Sequence, residues 1–185
     1  DGVAGTGSIT SIATEAIAKA DGPAAPAAPV PASKTDTSVT LVANALNQFS
    51  KDAGATWQNS EVFSGLTAST DYTFIARVKA TPTTNESAAS TGTLIKTDPA
   101  AMTGTAVIQG TAKYGQTLTA DITNLTNAGT PTYQWKRDGV TIDLATSSSY
   151  TLTEADIGTA ITVTITADGV AGTGSITSIA TEAIA

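Results

Sequence analysis

The chain contains no cysteine and no histidine. Their absence removes disulfides, thiol chemistry, most zinc sites and any histidine-based catalytic triad. Basic residues are scarce too. Nine Lys and Arg stand against 16 Asp and Glu, giving a formal net charge of -7. Nucleic acid needs clustered Lys and Arg to displace its counterions, and anionic lipid needs a basic patch, so neither partner is expected. Charged residues of both signs make up only 14% of the chain, and aromatics 5%. No apolar run approaches the roughly 18 residues that span a bilayer, and no signal peptide is recognisable. Targeting signals of an exported parent would then lie outside these 185 residues.

What is present is β-forming. Hydrophobic residues reach 41%, enough to bury a core, and threonine supplies about a fifth of the chain. Such β-branched richness favours pleated surfaces over helices. The segment DGVAGTGSITSIATEAIA occurs twice, at 1–18 and at 168–185. An unbroken match of that length is not chance. It sets a period of 167 residues, the size of two small β domains and far longer than a solenoid repeat. The chain then reads as one two-domain unit preceded by the tail of another copy in a tandem array; the alternative is an engineered duplication.

Two linkers divide the period. In KADGPAAPAAPVPAS (19–33), Pro23, Pro26 and Pro29 fall three apart and Pro31 follows. That is the polyproline II period, expected of a stiff extended spacer. The second linker, TDPAAMTG, is centred on Pro99. Between them, short β-rich runs alternate with Gly, Asn, Asp and Ser clusters. SVTLVA places Val39, Leu41 and Ala43 on one face. DYTFIARVKA places Tyr72, Phe74, Ala76 and Val78 on one face and Thr73, Ile75, Arg77 and Lys79 on the other, the pattern of a half-buried strand. Several such strands at this spacing predict a sandwich.

Leu66 followed six residues later by Tyr72, in GLTASTDYTFIARVKA, resembles the fibronectin type III pattern. The resemblance covers roughly residues 25–98 and implies that Tyr72 forms a tyrosine corner, with its hydroxyl bonded to backbone a few residues upstream. It makes Trp57 a variant of the early core aromatic. The second-strand Trp of the family is missing from VTLVAN, so this is a divergent member. The stretch TWQNSEVFSGL is similar to the tandem fibronectin-like modules of large bacterial surface and secreted proteins.

From Ala101 onward the motifs change. YQWKRDG places Tyr133 and Trp135 on one strand face, ahead of a turn at Asp138-Gly139. SYTLTEADIG, with Asp156 and Gly158, resembles the E–F corner of immunoglobulin domains. The family's Tyr and Cys are replaced by Ala160 and Thr162, and the apolar set is Ile161, Val163 and Ile165. The resemblance is therefore to the cysteine-less bacterial immunoglobulin-like repeats. It makes Trp135 the central core side chain, touching Leu118, Leu152 and Ile161. Residues 168–185 would complete this module, with Ile176 and Ile179 marking its last strand after the GVAGTG turn, and residues 1–18 would be the same strand severed from a preceding copy.

No motif for chemistry stands out. Glu154 and Asp156 are neighbours, but turn formation at the corner explains them; the other carboxylates are scattered, and no calcium loop is present. An interdomain aspartate, Asp98 or Asp168, stays open as a weak cation site. Lys136–Gly139 reads KRDG, in the wrong order for an integrin-like tripeptide, and the glycines of GVAGTG do not match a dinucleotide fingerprint. Neither AASTGTLIKT nor SITSIATEAIA holds the Asn, Asp or Gln of the amide and ester crosslinks known in some bacterial surface modules.

The expectation is an all-β chain of two antiparallel β-sandwich domains in a tandem array. Residues 1–18 are the severed strand, 19–33 an Ala/Pro-rich linker, 34–98 the fibronectin type III-like domain and 101–185 the immunoglobulin-like domain. Structural core residues would be Tyr72, Leu66, Trp57, Trp135, Tyr133, Asp156 and Gly158. No catalytic residue, cofactor or metal is expected. The resemblance implies a stalk or spacer in an extracellular bacterial surface or secreted, adhesin-like protein. Two alternatives remain: a glycan- or host-protein-binding module, with Tyr114 and Tyr150 the aromatics best placed for exposure, and an accessory part of a polysaccharide-degrading enzyme. Partners would be neighbouring repeats, and strand exchange between copies through residues 1–18, giving head-to-tail oligomers.

Overall fold

A computed structural model of the chain describes Asp1 and residues 17–185. The expectation for residues 1–18 therefore lies, apart from Asp1, Ile17 and Ala18, outside the described residues. Among the described residues there is no α-helix, and one 3-10 turn spans Glu154–Asp156. Everything else is antiparallel strand, turn and extended chain around two separate hydrophobic cores.

The first core forms between two three-stranded sheets. One orders β1 (Pro31–Lys34), β2 (Val39–Leu41) and β4 (Val62–Phe63); the other orders β3 (Asn47–Ser50), β5 (Asp71–Val78) and β6 (Thr93–Lys96). Period-2 alternation aims Val39 and Leu41 from one sheet at Phe49, Phe74, Ala76 and Ile95 of the other. The Phe63 and Phe74 rings meet edge-on, with centroids 4.9 Å apart. Ala43, expected to continue the inward face of β2, is exposed because the strand ends at Leu41.

The second core lies between a four-stranded sheet and a three-stranded one. The larger comprises β11 (Thr132–Arg137), β12 (Val140–Thr141), β14 (Ile161–Thr166) and β15 (Ser175–Thr177), in the order β12-β11-β14-β15. The smaller comprises β8 (Val107–Gln109), β9 (Thr117–Asp121) and β13 (Ser149–Thr151), with β9 central. A short pair of β7 (Thr103–Gly104) and β10 (Leu125–Thr126) closes one end. Ile161, Val163 and Ile165 of β14 are buried together with Trp135, Leu118 and Leu152. The β11–β12 turn carries Asp138 and Gly139 with φ of 45° and 81°, a hairpin turn that demands such residues. Each core is covered on both faces by antiparallel sheets, so the chain is all-β and built of β-sandwiches.

Two differences from the sequence reading concern the Pro-rich stretch. The first strand begins at Pro31, inside what reads as linker. Proline is tolerated there because β1 is an edge strand and Pro31 is its first residue. Nor is the rest a free spacer. The Ala20 N–H donates to the Thr83 carbonyl, the Asn85 N–H donates to the Ala20 carbonyl, and the Thr93 hydroxyl donates to the Pro29 carbonyl at 2.6 Å. Residues 20–29 thus run parallel to residues 84–93, and Pro29 is buried.

The same arrangement recurs in the second half. Ala101 pairs in parallel with Thr173, while the Tyr114 N–H donates to the Ala185 carbonyl and the Ala185 N–H to the Ala112 carbonyl. In both halves the first segment lies alongside the last and runs in the same direction.

Candidate functional site

The hydroxyl residues of the two final segments define the most distinctive local arrangement. Beyond β15 the chain leaves the regular ladder but stays bonded to β14. The Ser178 N–H donates to the Val163 carbonyl at 2.9 Å, and the Val163 N–H donates to the Ser178 hydroxyl at 3.1 Å. Three residues on, the Thr181 N–H donates to the Ile161 carbonyl and the Ile161 N–H to the Thr181 hydroxyl, each at 3.0 Å. Ile184, again three residues on, is 2% exposed. A side-chain oxygen takes the place of a backbone carbonyl, and three residues face two of β14, as in a succession of β-bulges.

The first half repeats the device on β5. Ser90 exchanges the same two bonds with Ala76, and Ser87 with Val78. Ser87, Ser90 and Thr93 are three apart, as are Ser178, Thr181 and Ile184. This period overturns one expectation: Ile179, read as part of the last strand, is 82% exposed, because Ser178 and Thr181 take the inward positions on either side of it. Ile176 does lie in β15 and packs against the core.

The expected core residues fall in three places. Leu66 is buried, and Tyr72 is partly buried beside it, its ring packed against the first core. The Tyr72 hydroxyl accepts the Thr67 N–H at 3.0 Å, a bond that lowers its pKa. Thr97, which sequence reasoning missed, completes this corner: it is buried, donates its hydroxyl to the Thr67 carbonyl and accepts the Thr70 N–H. No pattern marks it, since it is one threonine among many.

Trp57 lies elsewhere and is not in the core. Its ring packs under the Arg77 guanidinium, 4.4 Å from the centroid, on the outward face of β5. The reason is local. Gln58 pairs with Phe49 of β3, so Phe49 takes the inward place and leaves Trp57 outside. Arg77 is itself fixed by Gln48 and by Glu86 at 3.3 Å.

Trp135, Tyr133, Asp156 and Gly158 belong to the second half. Trp135 is 0% exposed and donates its indole N–H to the Ser147 carbonyl at 2.9 Å. Tyr133 is partly buried against the same core. Tyr150, expected to be exposed, instead stacks on Trp135 with centroids 5.8 Å apart and donates its hydroxyl to Asp156 at 2.9 Å. Gly158 is exposed with φ of 79° and donates its N–H to the Ile184 carbonyl. Tyr114 is 56% exposed.

Asp156 is 0% exposed, and every partner it has is polar. One carboxylate oxygen accepts from Arg137, at 2.7 Å from Nε; the other accepts from Tyr150 and from the Thr153 N–H and hydroxyl. Burial pushes its pKa up, but these donors outweigh it and hold the carboxyl below its ordinary value. Burial and the bond to Asp156 raise the Tyr150 phenol. A carboxylate saturated in this way braces the corner and has no lone pair free to take a substrate proton.

The two aspartates considered for a cation are likewise engaged. Asp98 pairs with Lys34 at 2.8 Å. Asp168 accepts the N–H groups of Thr130, Val170 and Ala171, which lower its pKa and fix the turn after β14. Gly172 completes that turn: a β-carbon there would overlap the Asn127 carbonyl. Among the described residues no group of three or more His, Cys, Asp or Glu gathers in metal-binding geometry, and no helix is long and apolar enough to cross a membrane.

No family model matches the chain, and no curated protein matches it. Among solved structures it is similar to a crystal structure of chicken CNTN1 FN1-FN3 domains, at 19% identity and a TM-score of 0.29. That alignment covers 86% of this chain and 64% of the other, so the chain spans just under two thirds of that structure's length. The sheets and cores described above, not this likeness, define the fold.

Proposed function

We propose that the chain is a spacer: a fibronectin type III-like domain that begins with the strand at Pro31 and runs to residue 98, and an immunoglobulin-like domain at 101–185, repeated in tandem within an extracellular bacterial surface or secreted protein of adhesin type. The stretch at 19–33 joins units and also lines the first of them.

One observation carries this reading. In each half the chain enters at one end and leaves at the other. Lys19 and Ala20 lie beside Thr81–Thr84, where the Lys19 ammonium donates to the Thr81 carbonyl, whereas Thr35 meets Asp98 at the opposite end of the same sheets. Ala101 lies beside Thr173 and Ala112 beside Ala185 in the same sense. Units threaded this way add their lengths instead of folding back. The low count of exposed aromatics favours this role over glycan binding, since Trp57 is covered by Arg77 and Tyr150 by Trp135.

Small-angle scattering of the chain tests the reading. Two sandwiches of roughly 35–45 Å set end to end give a maximum dimension of about 70–90 Å. A side-by-side particle of about 50 Å, the span of one sandwich with its loops, overturns it.

A further inference from the structure

The two sandwiches are joined by less chain than the sequence suggests. TDPAAMTG reads as a linker, yet nearly all of it is bound to one side or the other. On the first side, Thr97 is buried in the corner beside Tyr72 and accepts the Thr70 N–H. The Asp98 N–H donates to the Thr35 carbonyl, and the Asp98 carbonyl accepts the Ser69 N–H at 3.1 Å. The Lys34 ammonium clamps the same turn, meeting the Lys96 carbonyl and the Asp98 carboxylate, each at 2.8 Å. On the second side, the Ala100 carbonyl accepts the Thr173 N–H at 3.0 Å. Met102, buried in the second core, donates its N–H to the Thr173 carbonyl at 2.7 Å. Only Pro99 stands between these two sets of bonds. We infer that the junction at 98–100 is a fixed joint set by Pro99, so that the two sandwiches move as one body.

The argument is one of remaining freedom. A peptide unit is planar, so a bonded carbonyl fixes the whole plane that carries it. The Asp98 carbonyl thereby fixes the Asp98–Pro99 plane on the first sandwich, and the Ala100 carbonyl fixes the Ala100–Ala101 plane on the second. Between those planes lie only φ and ψ of Pro99 and of Ala100. The pyrrolidine ring locks Pro99 φ at about -65°. Backbone sterics confine the other three to narrow wells. Two residue steps span at most about 7 Å, so the facing ends cannot draw apart.

Packing is not the restraint. Two domains that share little interface ordinarily move against each other. Here the Ser69 hydroxyl reaches the Val170 carbonyl at 3.4 Å, too long for a strong bond, and Val170 stays 72% exposed. A cleft of about 280 Å³ opens beside this contact, lined by Lys34, Ser69, Asp98, Pro99 and Gly169 among others. The contact acts as a stop, since closing the cleft drives the 169–170 turn into Ser69. The restraint itself lies in the chain, and it holds whether or not the pair serves as a spacer.

The experiment is pulsed electron spin resonance on the full chain, labelled at Leu94→Cys in β6 and Thr119→Cys in β9. Both positions are exposed, and the chain has no other cysteine. A second pair, Thr119→Cys and Thr177→Cys, lies within the second sandwich and gives the spread due to the labels alone. The two distance distributions are expected to be equally narrow. Pro99→Gly is expected to broaden the distribution between the sandwiches and leave the one within the second sandwich unchanged. Inserting Gly-Ser-Gly-Ser after Pro99 makes a flexible linker whose ends fluctuate by about 12 Å, and broadens the first distribution to that order. A parent distribution as broad as that of the insertion variant overturns the inference. So does a Pro99→Gly distribution no broader than the parent's. A narrow distribution from a side-by-side particle would sink the spacer reading and leave the fixed joint standing.

Discussion

Asp156 shows how much one side chain can carry without chemistry. Its carboxylate is fully buried, and its partners come from β11, β13 and the turn before the 3-10 segment, so it ties three pieces of chain to one point. Its pKa lies below the unfolded value of about 3.9, so the folded state binds the proton less readily than the unfolded chain. The stability it contributes is complete above that value and is lost as pH falls through the lower, folded one. Denaturant unfolding of the chain between about pH 5 and pH 2 should therefore show stability dropping with acid. Asp156→Asn should flatten that acid dependence and, by weakening the bonds to Arg137, Tyr150 and Thr153, lower stability at neutral pH by about 1–3 kcal/mol, since the partly exposed Arg137 can still be solvated. An unchanged acid slope in the variant would show that other carboxylates set it.

At the scale of the element, the final segments are held by hydroxyls where a ladder would use carbonyls. Ser178→Ala removes the acceptor of the buried Val163 N–H and should cost about 1–3 kcal/mol, with faster amide exchange at Val163; Ser90→Ala should do the same at Ala76. Stability equal to the parent would mean that water replaces the hydroxyl. This device also marks the limit of what the sequence discloses. The alternation in DYTFIARV, the inward Trp135 and the Asp138-Gly139 turn are all legible, because period 2 and positive φ have direct residue signatures. The three-residue period of Ser178, Thr181 and Ile184 was hidden, since serine and threonine are everywhere in this chain and the apolar Ile179 points out. Trp57 misled for a related reason: an aromatic that ends up outside, under Arg77, leaves the same mark in the sequence as one that fills a core. The prolines were visible as a three-residue pattern, but not that Ala20 and Pro29 lie along Thr83 and Thr93.

For the whole molecule, the codirectional pairing of first and last segments decides how tension would act. Pulling the two ends of the second half apart drags residues 100–114 and 173–185 past each other, so the bonds at Met102, Thr173, Tyr114 and Ala185 are loaded together. Pulling at Asp138 and Ala185 instead separates two points at one end, because Asp138 lies beside Ala160 and Ala185 beside Ala112, next to the Gly158–Ile184 bond. Those bonds would open one after another. Single-molecule force measurements should give an end-to-end rupture force well above that for the 138/185 pair. The absence of native cysteine lets thiol anchors be placed at will. Equal forces for the two geometries would count against a role under load.

The Ser178–Ile184 segment has one more consequence, which concerns crowding. A chain repeated many times over on one surface presents many strand margins to its neighbours, and matched margins of extended backbone coalesce into aggregates. Three residues set against two leave this margin out of step with any flat partner. In the tandem array proposed above, the spacing that binds Ser178 and Thr181 to β14 would thereby oppose such coalescence between neighbouring copies.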